Sequence, residues 1–149
     1  GGLLSLKLSA EYPVSKVVSL STPIFIADRR LPYLPYYRMI RSYSPKKKRR
    51  YKVAPEYLAS YDKTPLKSVS EILVLIKEVK NDLAKISVPL LIIQAKNEHT
   101  VRPESARYIY GHVGSEDKEI VWLERSGHMV TLDIEKEFVF DTVANFLAK

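Results

Sequence analysis

The sequence predicts an α/β fold built on a short parallel sheet, and three observations carry that expectation. Val88-Pro-Leu-Leu-Ile-Ile-Gln94 and Ile120-Val-Trp-Leu123 are short, continuously apolar runs, as strands covered on both faces are. Around them lie segments whose apolar residues recur at helical spacing. A further strand, Val14 to Ser21, comes earlier in the chain. Strands that alternate with helices form parallel sheets joined by right-handed crossovers. Three parallel strands are therefore expected near residues 16–21, 89–94 and 119–124, adjacent in that order, with flanking helices.

Each element has its own signal. From Gly1 to Tyr12, Leu3, Leu4, Leu6, Leu8 and Ala10 predict a helix buried on much of its surface and stopped by Pro13. Gly1 and Gly2 are poor helix formers, each costing up to ~1 kcal/mol relative to alanine. They make sense where another backbone packs tightly. Thr64-Pro65 resembles an N-cap followed by proline at the first helical position. Leu66, Val69, Ile72, Leu73, Ile76, Val79 and Leu83 then predict an amphipathic helix over about 65–85. Pro103 to Tyr110 reads as a short helix closed by Gly111 or Gly114. Ile134 to Lys149 reads as the closing helix, with Phe138, Val139, Val143, Phe146 and Leu147 along one stripe.

Composition bounds the function. The 149 residues are the length of one domain, and 46% hydrophobic with 28% charged residues describes a globular chain. With no cysteine there is no disulfide framework, no thiolate nucleophile and no cysteine-based metal site. No apolar run approaches the ~20 residues that span a bilayer. No secretory leader is recognisable, so the expected location is cytoplasmic. The chain lacks an initial methionine and opens with Gly-Gly directly ahead of a helix, which reads as the middle of a longer protein.

Net charge is +7, yet it belongs to one segment: between residues 27 and 52, ten Lys or Arg face a single acid, Asp28. Prolines 32, 35, 45 and 55 and tyrosines 33, 36, 37, 43, 51 and 57 interleave with that charge, including the run Lys46-Lys-Lys-Arg-Arg50. A solvated face is the plain reading of this run. Basic residues with aromatics can also hold phosphates and stacked bases, but no nucleic-acid-binding motif accompanies them.

The chemistry-bearing stretch is Ser126-Gly127-His128, which breaks the strand ending at Leu123. In open parallel sheets, ligands sit outside the carboxyl ends of the strands. A histidine there can present a free ring nitrogen to a reaction. Taken alone, a loop histidine is more often simply bonded to backbone. Lys96-Asn-Glu98-His-Thr-Val-Arg-Pro103 places a carboxylate past the end of the neighbouring strand. Adjacent strands lie ~4.8 Å apart, so Glu98 and His128 could meet at one edge. Taken alone, Glu98 reads equally well as an acid at a helix N-terminus. Glu98 with His99 and His112 fits no metal-ligand spacing.

These residues resemble the C-terminal part of an α/β-hydrolase, of the bacterial carboxylesterases related to monoacylglycerol lipases. Gly1-Gly-Leu-Leu-Ser-Leu-Lys-Leu8 is similar to the helix after the nucleophile elbow, with Gly1 as the last glycine of G-x-S-x-G. Tyr61-Asp-Lys-Thr-Pro-Leu-Lys67 resembles the end of the family's cap, and Gln94 to Ala106 its acid loop. Ser126-Gly-His-Met-Val-Thr-Leu-Asp133 resembles its histidine loop and is the most specific match. The resemblance implies a partial α/β-hydrolase fold, with residues 1–26 and 88–149 as the C-terminal part of the core. Residues 27–87 would be a helical cap insertion. It implies His128 as general base and Glu98, where the family usually carries Asp, as the orienting carboxylate. The nucleophilic serine would lie two residues before Gly1. No metal or organic cofactor is implied.

The expected function is the C-terminal part of a serine carboxylesterase acting on short- or medium-chain esters. Its expected partners are a small-molecule ester and the N-terminal half of the fold, or a second copy at the free sheet edge. A non-catalytic hydrolase lobe, binding an acidic partner or surface through its basic cap, is the alternative.

Overall fold

Leu90 to Ala95 is buried at every position, and the sheet with its flanking helices packs about it. The structure is a computed structural model that describes residues 1–46 and 61–149. In chain order it contains α1 (Gly2–Glu11), β1 (Val17–Leu20), α2 (Leu34–Ile40), β2 (Tyr43–Pro45) and β3 (Lys63–Pro65). Then follow α3 (Leu66–Asp82), β4 (Leu90–Ala95), α4 (Glu104–His112), β5 (Lys118–Leu123) and α5 (Lys136–Ala148). Lys47 to Arg50 of the basic run, and Tyr51, Pro55 and Tyr57, lie outside the described residues.

The sheet has the order β1-β4-β5, all parallel, with Leu20 beside Ile93 and Ile93 beside Val121. This is the arrangement expected from the sequence. Side chains alternate across β4 and so divide the core. Leu90 and Ile92 pack with Leu3 and Leu6 of α1, Ile76 and Val79 of α3, and Ala106 and Ile109 of α4. Leu91, Ile93 and Ala95 face the other way, against Val139 and Phe146 of α5. Burying each such Leu or Ile contributes roughly 1.5–3 kcal/mol, which explains an uninterrupted apolar run in a central strand. The second half of α3 thus belongs to the core.

Several local expectations are corrected. Thr64 does not cap α3: it pairs with Ser44 in the antiparallel β2–β3 ribbon, and extended Pro65 occupies the cap position instead. The long-range ladder outcompetes the local capping signal. Gly111 does not close α4, which runs through it to His112. Gly114 is needed for a close approach instead, since a Cβ there would lie 2.3 Å from the Ala84 carbonyl oxygen. The glycine pair divides similarly. A Cβ on Gly2 would lie 1.9 Å from Oγ1 of Thr22, a side chain rather than a backbone, while Gly1 has open space around it. Helix α1 buries only Leu3 and Leu6, leaving Leu4 and Leu8 half-exposed. On α5, Val139 and Phe146 are buried but Phe138 and Leu147 are exposed, because three strands offer a narrow surface to cover.

Among the described residues, no helix is long and apolar enough to cross a membrane. Residues 28–46 and 61–65 lie over the end of α3. Leu34 and Leu66 are buried there, and Nη1 of Arg38 donates to Oγ of Ser70 at 3.0 Å. Tyr33, Tyr36, Tyr37, Met39 and Ile40 remain exposed.

Candidate active site

Parallel register carries the ends of β4 and β5 to one edge of the sheet, and the loops beyond them are tied together. The amide of Lys96 donates to the Leu123 carbonyl at 2.9 Å. The side-chain amide of Asn97 donates to the Glu124 carbonyl at 2.6 Å, and Lys96 forms an ion pair with the Glu124 carboxylate. On its other side the β4 loop bonds to the segment after β1, through Ala27 N–H to Thr100 O at 2.9 Å and Arg102 N–H to Phe25 O at 2.8 Å. Ile26 and Val101 form a bridge there.

This bracing brings Glu98 and His128 into contact. Nδ1 of His128 lies 2.8 Å from Oε2 of Glu98, and Oε1 of Glu98 accepts the Thr100 N–H at 2.6 Å. The Glu98 side chain is 1% exposed and the His128 side chain 35%, so the carboxylate is the inner member and the ring the outer one. Burial opposes ionisation of Glu98. The hydrogen bonds from His128 and from the Thr100 backbone outweigh it and hold the carboxyl below its ordinary range. An ionised Glu98 makes Nδ1 the protonated nitrogen of a neutral ring, leaving the Nε2 lone pair free to accept a proton. Among the described residues, nothing bonds to Nε2, and no serine hydroxyl reaches the ring.

His112 is held away from this pair. His112 stacks on Tyr108 at 3.9 Å between ring centroids and bonds to the Tyr108 carbonyl through Nδ1. No cluster of three or more His, Asp or Glu suited to a metal is present among the described residues. Asp133, the other acid near His128, is committed elsewhere: its Oδ2 accepts the Gly127 N–H and its Oδ1 the Ile134 N–H, each at 2.8 Å.

Two features escaped the sequence reading. Glu135, at the N-terminus of α5, turns its carboxylate back onto the loop ahead of His128. It accepts the N–H groups of Glu124, Arg125 and Ser126 and the Ser126 hydroxyl. Its burial raises the carboxyl's pKa less than these bonds lower it, so it too is held below the ordinary range. The available signal is an acid placed just before a helix and shortly after a strand end whose amides lack partners. The second feature is Ser21, at the carboxyl end of β1. It adopts φ 42°, and its buried hydroxyl finds no partner among the described residues. Such strain gathers at functional sites, and no sequence pattern announced it.

A pH dependence follows from the two depressed carboxyls. Each contributes stability that is fully present above its unfolded pKa, about 4.3, and lost as pH falls through its lower folded value. The Tm of the chain is expected to drop on acidification below about pH 4.3. Glu98→Gln and Glu135→Gln should each flatten that drop. A thermal melt series showing the same acid slope in both variants would refute the assignment.

Comparison with known proteins places the chain in a family. The Hydrolase_4 family model, described as serine aminopeptidase, S33, matches residues 25–135. The chain is 32% identical to a carboxylesterase of Bacillus subtilis (strain 168) across all 149 residues, spanning 61% of that protein's length. It is 34% identical over 90 residues to a thermostable monoacylglycerol lipase of Bacillus sp. (strain H-257), covering 60% of this chain and 36% of the lipase. A structure solved for LipS and LipT, two metagenome-derived lipolytic enzymes, superposes with a TM-score of 0.88 at 24% identity, over 99% of this chain and 62% of that one. At that identity the likeness is one of fold.

Proposed function

The chain belongs to the Hydrolase_4 family, described as serine aminopeptidase, S33, and from that premise we propose that it is the C-terminal part of a serine carboxylesterase. Its substrates are short- or medium-chain acyl esters, monoacylglycerols among them. The observation that carries this reading is the 2.8 Å contact between Nδ1 of His128 and Oε2 of Glu98, with Nε2 of His128 left open. The carboxylesterase and monoacylglycerol lipase relatives support the substrate class.

In this reading the nucleophilic serine stands two residues before Gly1, on the sharp strand-to-helix turn of G-x-S-x-G. The near-contact of Gly2 with Thr22 supports it, because the start of α1 abuts the end of β1, where the elbow would enter. The serine oxygen attacks the ester carbonyl as Nε2 of His128 takes its proton. The tetrahedral adduct collapses to acyl-enzyme, and the imidazolium returns the proton to the leaving alcohol. Water then attacks the acyl carbon, His128 acting again as base, and the acid is released with serine restored. Glu98 holds the ring and stabilises the imidazolium.

Residues 27–46 and 61–87 would lie over the acyl pocket as part of its cap, with α3 anchoring them in the core. Tyr43 and Tyr61 line a recess there with Asp62, Lys63 and Pro65. Strand β1 pairs only with β4 among the described residues, and its other edge is where the upstream half of the sheet would join.

The test is to express the reading frame extended upstream of Gly1 and assay nitrophenyl esters and monoacylglycerols. Turnover that is lost on His128→Ala is expected. Turnover that survives His128→Ala, or an extended frame without Gly-x-Ser-x immediately ahead of Gly1, would overturn the reading.

A further inference from the structure

Strand β5 ends at Leu123, and the next four amides face no neighbouring strand. All four are taken by two carboxylates. Oε1 of Glu135 accepts Glu124 N–H at 3.3 Å, and Oε2 accepts Arg125 N–H at 3.0 Å and Ser126 N–H at 2.7 Å. Oε2 also accepts the Ser126 hydroxyl at 2.6 Å, and Ser126 is fully buried. Oδ2 of Asp133 then accepts Gly127 N–H at 2.8 Å. The next residue is His128.

We propose that Glu135 is a positioning residue for His128: by gathering three consecutive amides and one hydroxyl onto a single carboxylate, it sets the loop that aims the imidazole at Glu98. The inference rests on the catalytic reading of His128 and goes beyond it, since Glu135 touches neither the ring nor the reacting atoms. Three convergent N–H dipoles and an O–H need an acceptor with several lone pairs, and an ionised carboxylate provides about four. Bonds to a charged acceptor are also roughly twice as strong as neutral ones. Glutamine keeps the shape but replaces one oxygen with a donor, which faces N–H groups and repels them. A loop loosened at 124–126 lets the ring swing away from Oε2 of Glu98. A catalytic ring must be held within about 0.5 Å of its working position, so that freedom matters.

The experiment uses nitrogen-15-labelled chain and reads the His128 Nδ1 proton, which a carboxylate bond shifts far downfield and protects from solvent exchange. In Glu135→Gln, that proton should exchange roughly tenfold faster or broaden away. The β4 amides should exchange as before, which separates misaiming of the ring from general destabilisation. Glu135→Asp, which keeps the charge, should restore part of the protection. If Glu135→Gln fails to fold, Ser126→Ala decides, since it deletes one of the four bonds and leaves the carboxylate. It should speed the exchange in the same direction, by less. An unchanged Nδ1 proton in folded Glu135→Gln, or in Ser126→Ala where that variant decides, would overturn the proposal. If the unmodified chain shows no protected Nδ1 proton, the Glu98–His128 pair itself fails, a different result from failure of the Glu135 role alone.

Discussion

Glu98→Gln, placed in a polypeptide that carries this chain behind its nucleophile elbow, is expected to lower kcat by about 10,000-fold. The carboxylate accepts from Nδ1 of His128 through one oxygen and from Thr100 N–H through the other. With Thr100 N–H holding the remaining carbonyl oxygen, the amide NH2 of glutamine faces the ring. It then donates to Nδ1, which places the ring proton on Nε2, the nitrogen that must accept the serine proton. The base is blocked by its tautomer while the fold stands. Glu98→Asp keeps the acceptor and retracts it by about one methylene, so a smaller loss, on the order of 100-fold, is expected from misplacement. Near-full turnover by Glu98→Gln would move the orienting role elsewhere. Asp133 would be the next acid to test, although both its oxygens already hold backbone amides.

The second large effect is expected of the 149 residues by themselves: no ester turnover above the buffer rate. In the proposed reading His128 and Glu98 would supply a base and its support, but acyl transfer needs a hydroxyl at the base. Four of the five buried serines are occupied elsewhere, Ser19 with Thr22, Ser105 with Phe25, Ser115 with Asp117 and Ser126 with Glu135, and the fifth, Ser21, has a hydroxyl that bonds to neither the ring nor any other described group. Ser5, on α1, bonds back to the Gly1 carbonyl. The oxyanion hole of this fold takes one amide from the residue after the nucleophile and another from an earlier loop. A histidine without them can at most assist water. Hydrolysis of a nitrophenyl ester that falls to background on His128→Ala would contradict this expectation.

The sheet and the Glu98–His128 pair were legible in the sequence for one reason. Strands buried on both faces must be apolar throughout, so β4 and β5 declare themselves, and parallel adjacency then brings the residues just past their ends together. Features settled by competition between distant segments were not legible. Thr64-Pro65 carries a sound capping signal, and only the partner strand at 43–45 shows that it is spent on pairing. The apolar stripe of α5 does not reveal how wide a surface it covers, and Phe138 and Leu147, which share it, stay exposed. Glu135 resembles any acid opening a helix. Its role depends on a loop shape that folds 124–126 back over the start of α5.

The central claim is that this chain provides the base and acid of a triad whose nucleophile lies two residues before Gly1. The most direct measurement is to treat the chain and its upstream-extended form with a fluorophosphonate probe and map the labelled residue by mass spectrometry. The account predicts no labelling of residues 1–149 in either polypeptide, and stoichiometric labelling of the serine two residues before Gly1, abolished by His128→Ala. Stoichiometric, His128-dependent labelling of any serine within the 149 residues would contradict it.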